Sequence, residues 1–107
     1  MQSRPDLIFS ALADPTRRAI FERLCRKGEQ SVRALTERSG VSQPAVSKHL
    51  ALLREAGLVR DRPEGRQTFY TAEPTGLRPL MNWMQFYANL WEDSFDRLEN
   101  LLKRMDQ

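Results

Sequence analysis

Two short helical segments, VRALTERS and QPAVSKHLALLRE, meet across a Gly-Val-Ser turn, and this junction limits the chain to very few folds. Ser31 can cap the first segment and Gly40 can end it in a left-handed conformation. Ser42 caps the second, Pro44 falls in its first turn where no intrahelical bond is lost, and Gly57 stops it. Val46, Leu50 and Leu53 recur at helical spacing and must face a core. The opposite, N-terminal side then carries Ser42, Gln43, Pro44, Ser47 and Lys48. Two helices joined by a tight glycine-containing turn form a helix-turn-helix, whose second helix can lie in the DNA major groove. There Gln pairs bidentately with adenine, Lys with guanine, and Ser with a base or a phosphate.

The next stretch, LVRDRPEGRQTFYT, has β-branched and aromatic residues on both sides of a Pro-Glu-Gly turn. It reads as a hairpin over Leu58 to Arg62 and Arg66 to Thr71, a wing with Arg60, Arg62 and Arg66 at or near its tip. Arginines so placed would reach phosphates or the minor groove beside the helix. Upstream, Leu7, Ile8, Ala11 and Leu12 form an amphipathic helix after Pro5. Asp14-Pro15 then opens another, which turns Ile20, Phe21, Leu24 and Cys25 inward and ends near Gly28.

Charge agrees with a polyanionic partner. Residues 1–73 carry 13 Lys and Arg against 9 Asp and Glu, while residues 74–107 carry 4 against 5, so the basic excess lies with the helix-turn-helix and wing. At 107 residues the chain is expected to be a single domain, with the core and wing in 5–73 and a long helix over 75–106. From Leu80 that helix carries a coiled-coil-like stripe through Met84, Tyr87, Trp91, Ser94, Leu98, Leu101 and Met105, widened by Trp83, Phe86, Leu90, Phe95 and Leu102. The band is too broad for one small core. It predicts a homodimer, with Leu7, Ile8 and Leu12 of the first helix joining Tyr87, Trp91, Leu98 and Leu101 in the interface. The expected fold is mainly α with a small β-hairpin, a winged helix-turn-helix dimeric through its terminal helices.

The segments LADPTRRAIFERL, VSQPAVSKHLALLREAGLV and RPEGRQTFY resemble the ArsR/SmtB family of bacterial winged helix-turn-helix repressors, across most of residues 7–71. The resemblance implies a homodimer that binds an imperfect inverted repeat in double-stranded operator DNA and blocks transcription until an inducer, often a metal ion, lowers its affinity. The family's thiolate site needs Cys-x-Cys on the helix before the turn, where this chain has SVRALTERSG without cysteine. Its zinc site on the C-terminal helix needs histidines, and this helix offers Glu92, Asp93, Asp96 and Glu99 with none. No metal and no other cofactor is therefore expected. Induction by a small organic ligand, oxidation of Cys25, or control by protein concentration alone all stay open.

The sole histidine, His49, reads as a structural residue bonding near the wing, with a phosphate contact as the alternative. Cys25, the sole cysteine, reads as a buried structural thiol. One histidine, one cysteine, no glycine-rich phosphate loop and no paired carboxylates argue against an enzyme. The competing class is a winged-helix module that binds protein instead of DNA, which would favour acidic or apolar residues at 43, 47, 48, 62 and 66. With no signal peptide at the N-terminus and no apolar run of membrane length, the cytoplasm is the expected location.

Overall fold

A computed structural model describes residues 3–106. The outermost positions of the expected single domain, 1, 2 and 107, lie outside the described residues. The elements follow in the order α1 (Arg4–Ala13), α2 (Pro15–Lys27), β1 (Gln30–Ser31), α3 (Val32–Ser39), α4 (Gln43–Glu55), β2 (Val59–Glu64), β3 (Gln67–Ala72) and α5 (Arg78–Met105), with a 3-10 turn at Pro74–Leu77 before the last helix.

Capping chemistry sets these boundaries. Ser3 and Asp6 form a reciprocal capping box on α1. Asp14 accepts the Arg17 N–H at 2.9 Å to start α2, with Pro15 in the first turn. Ser31 and Ser42 accept from Ala34 and Ala45 to start α3 and α4. Gly40 takes a left-handed φ of 77° at the end of α3, so the chain reverses into α4 without the penalty a Cβ would bring.

Ile8, Leu24, Leu35, Val46, Leu50, Leu53 and Leu58 are the largest fully buried side chains, and they join α1, α2, α3, α4 and the start of β2 into one core. Ile8 therefore faces its own chain. Its solvent exposure is 0%, so it has no surface left for a partner, contrary to its expected place in a dimer interface. Leu7 and Leu12 are half-buried against the same core, and Phe9 is the large apolar side chain of α1 that points outward. Cys25 corrects a second expectation: it is exposed, because the inward face of α2 follows Ile20, Phe21 and Leu24.

The sheet has three antiparallel strands in the order β1-β3-β2. The sequence reading lacked β1, two residues that pair with Tyr70 and Phe69 of β3. It also misplaced the turn. Strand pairing continues through Pro63↔Thr68 to Glu64↔Gln67, so the loop is Gly65-Arg66 and not Pro-Glu-Gly. Gly65 has φ 60° and no non-glycine residue among the described residues has positive φ, which is the pattern of a type II′ hairpin turn with glycine first. Pro63 and the charged run Arg60, Asp61, Arg62 and Glu64 lie on β2, an outer strand, where a missing N–H is tolerated.

Helix α5 departs from this body. Its 28 residues span about 42 Å at 1.5 Å per residue, and none of them is buried. Only its base is held: Leu80, with Leu77 of the preceding turn, packs on the core, and Trp83 meets Phe9 edge to face at 5.1 Å between centroids. From Met81 to the end of the described residues every side chain is exposed, including Phe86, Leu90, Trp91, Phe95, Leu98 and Leu102. The molecule is consequently elongated, 72 × 28 × 22 Å. No helix among the described residues is long and apolar enough to cross a membrane.

Candidate nucleic-acid interface

On α4 the buried positions Val46, Leu50 and Leu53 fix which side faces out, and Gln43, Pro44, Ser47 and Lys48 are exposed on it. Ser42 is exposed too, but its hydroxyl is occupied in capping, accepting the Ala45 N–H at 3.4 Å. The wing stands beside this helix. Gln43 and Ser47 share an open groove of about 530 Å³ with Arg66, Gln67 and Thr68 of the hairpin and Arg33 of α3. A helix side chain set and a hairpin loop thus face one cleft with a cation at its rim. Sequence reading did not include Arg33, Gln67 or Thr68; the available signal was their position next to Ser31's cap and next to Arg66.

The three wing arginines have different environments. Arg66 sits in the loop, exposed, with no carboxylate in ion-pairing distance among the described residues. Arg60 is not near the tip: it pairs across the ladder with Thr71, at the base of the wing, and bonds Glu73 at 2.6 Å. Arg62 is held from three sides. Its Nη2 and Nε reach Glu29 at 2.8 and 3.1 Å, its Nη1 reaches Glu64 at 3.0 Å, and its guanidinium lies 5.0 Å over the Phe69 ring. The Arg62 hydrogen bonds hold the Glu29 carboxyl below the usual carboxylate range, with the Thr71 hydroxyl adding to the effect. The hydrogen bonds to Glu29 and then Glu64 raise the Arg62 pKa further, so this cation stays charged and has two carboxylates against it. Glu29 precedes β1, 33 positions before Arg62. It ties the wing to the body, a role that no local pattern announces.

His49 also lies elsewhere than expected. It bonds α2 and not the wing, with its Nδ1 3.2 Å from Arg17 Nη1. Arginine only donates, so Nδ1 is the acceptor in this bond. Arg17 further donates to the carbonyls of Ala11 and Ser10 at 2.6 and 3.3 Å, joining the end of α1 to α4 through one side chain. The Cys25 thiol is pushed up by partial desolvation of its sulfur and then by the charge of Glu22, which is the reverse of an activated thiolate. Among the described residues, no group of three or more His, Cys, Asp or Glu side chains comes together as a metal site.

A helix-turn-helix domain model matches residues 12–62. Among curated proteins, the HTH-type transcriptional regulator Rv2034 of Mycobacterium tuberculosis is 51% identical over 76 residues, covering 71% of this chain and 70% of that protein. Several other relatives are named as repressors. Among solved structures, an ArsR family transcriptional regulator, RHA00566, superposes with a TM-score of 0.77 at 34% identity, over 83% of this chain and 91% of the other. The homodimeric winged helix-turn-helix DNA-binding domain Mb0332 of Mycobacterium bovis, described as a possible ArsR-family regulator, gives 0.64 at 29% identity, over 80% and 79%. Helix order, wing and sequence agree: the chain belongs to the ArsR family of winged helix-turn-helix transcriptional regulators.

Proposed function

We propose that the protein is a transcriptional repressor that binds an inverted-repeat operator as a homodimer and has no metal input. The observation that carries the DNA-reading half is the shared groove of Gln43, Ser47 and Arg66, which puts base-reading side chains and a free wing cation against one ligand. Gln43, Ser47 and Lys48 read base edges, Pro44 offers an apolar contact, and Ser42 fixes the helix start from which they project. Arg66 contacts backbone phosphate. Arg62 and Arg60 are positioning residues of the wing. Pairing through α5, with Tyr87, Trp91, Leu98 and Leu101 in the seam and Phe9, Leu7 and Leu12 of α1 at its edge, would give two reading helices about 34 Å apart, one DNA turn. The bare apolar face of α5 supports this, as does the homodimeric relative.

Lys48→Ala and Gln43→Ala are each expected to cost about 1–3 kcal/mol on the cognate operator and far less on random duplex, measured by mobility shift on DNA upstream of the protein's own gene. Stoichiometric zinc, nickel, cadmium or arsenite should leave the shifted band in place. Equal weakening on both DNAs would mean that α4 does not read bases, and no binding to any duplex would favour the protein-interaction module.

The wing gives a second test. Arg66→Ala should weaken binding to every sequence and make the salt dependence of log K shallower by about 0.9, the effect of one phosphate contact. Arg62→Ala should change that slope less, while wing amides exchange faster with solvent because Glu29 no longer holds the hairpin. A slope unchanged by Arg66→Ala would put the wing off the DNA.

A further inference from the structure

Gly76 lies in the 3-10 turn before α5, and it is not one of the glycines with positive φ, so its backbone would also accept alanine. What it lacks is space. A Cβ there would overlap the Gly57 carbonyl oxygen and stand 2.8 Å from its carbon and 3.3 Å from the Leu58 Cα, all of them backbone atoms that no rotamer change moves aside. The base of α5 is thus seated directly on the peptide that ends α4. Two further contacts close on the same place. The Glu73 N–H donates to the Leu58 carbonyl at 2.8 Å and the Gly76 N–H to the Glu73 carbonyl at 2.9 Å, so the turn is bonded to the chain leaving α4. From the other side Arg4, the first residue of α1, donates from Nη2 to the Ala56 carbonyl at 3.4 Å, and its guanidinium takes the space that a Cβ on Gly57 would need. The two elements proposed to form the dimer seam, α1 and α5, therefore meet at the end of the reading helix.

We infer that this joint sets the angle between α5 and α4, and with it the separation of the two reading helices, so that Gly76 and Arg4 are positioning residues for the spacing of operator half-sites. The inference rests on the pairing through α5 proposed above. Because only the base of α5 is held, a small change at the joint grows along the helix. A displacement on the order of 1 Å at Gly76, pivoting about Trp83 roughly 10 Å away, moves Leu98 by about 2 Å. Two-fold symmetry applies it twice, giving about 4 Å between the two bodies, on the order of the rise of one base pair. A backbone-to-backbone contact suits this task, since it has no side-chain rotamer through which the angle could drift.

Cys25, exposed on α2 and the sole cysteine, provides the test. One nitroxide attached there in each protomer lets pulsed dipolar electron spin resonance read the distance between the two bodies of the full-length dimer without DNA. Gly76→Ala should shift the centre of the wild-type distance distribution by about 2–4 Å. Arg4→Ala, at an exposed position, adds no atom to the joint and removes the bond to Ala56, so it should broaden the distribution about an unchanged centre. In mobility shifts Gly76→Ala should lose affinity at the wild-type half-site spacing and regain it on a duplex whose half-sites stand one base pair nearer or farther, whereas a merely destabilised protein would weaken on every spacing. A centre that Gly76→Ala leaves in place, or a width that Arg4→Ala leaves unchanged, overturns the joint and leaves the dimer standing. A wild type with no distance between labels refutes the pairing itself, and the inference falls with it. A labelled dimer that behaves as expected but shifts no duplex would refute the operator reading alone.

Discussion

Leu98→Lys is expected to yield a monomer at micromolar concentration and to remove high-affinity operator binding with it. Leu98 is half-exposed in the single chain, on the part of α5 beyond the base that packs on the core. In a two-fold seam each substitution occurs twice. Fully burying a leucine is worth about 1.5–3 kcal/mol, and about half of its surface is left for the partner to cover, so the pair costs about 1.5–3 kcal/mol before the desolvation of two lysines is added. That corresponds to a dimer dissociation constant raised at least roughly tenfold to a hundredfold, and further by the lysine desolvation. Sedimentation equilibrium of wild type and variant reads the effect directly. A wild type that sediments as a monomer refutes the dimer, and a variant that stays dimeric moves the interface away from this stripe.

The second large effect is expected at Leu50→Ala. Leu50 is 0% exposed and lies on the inward side of α4, one turn from the Ser47 and Lys48 that face out. Truncating a fully buried leucine costs about 2–5 kcal/mol through lost transfer energy and the cavity left behind. Small domains hold only about 5–15 kcal/mol in total. Thermal unfolding should therefore fall by on the order of 10–30 °C, compared at one protein concentration because subunit pairing also stabilises the native state. A variant melting within a few degrees of wild type would show that this core does not fix the reading helix. DNA affinity measured well below the new midpoint should change little, which separates this variant from Lys48→Ala.

Much of this architecture was legible because its instructions are local. Asp14-Pro15, Ser31, Ser42-Gln43-Pro44, Gly40 and Gly57 each act within one turn of themselves, so the helix starts and stops could be read without knowing what packs where. The wing was legible as a hairpin from its β-branched and aromatic content, but the loop was misplaced because Pro-Glu-Gly looks like a turn and only pairing to β3 shows that Pro63 and Glu64 are still in the ladder. What escaped was non-local. Strand β1 exists because Gln30 and Ser31 lie against Tyr70 and Phe69, and two residues carry no periodicity of their own. Arg60 and Arg62 looked free because their acids, Glu73 and Glu29, are distant along the chain. Ile8 and Cys25 were assigned the wrong sides since a ten-residue helix and a helix with mixed polarity leave the inward direction open by one residue step.

The wing also has to remain dispersed. A hairpin with an outer strand free along one side offers unpaired N–H and C=O groups to any other extended chain, and such edges are where sheets recruit neighbours into aggregates. Strand β2 is that edge, and its sequence is poorly suited to recruitment. Pro63 interrupts the row of donors in the outer half of the strand, and Arg60, Asp61, Arg62 and Glu64 place alternating charge along nearly all the rest. A second copy of β2 laid alongside would meet a missing hydrogen bond and several close charges. The proline that misled the reading of the turn thus has a use of its own: it keeps the outer edge of the hairpin closed to other hairpins.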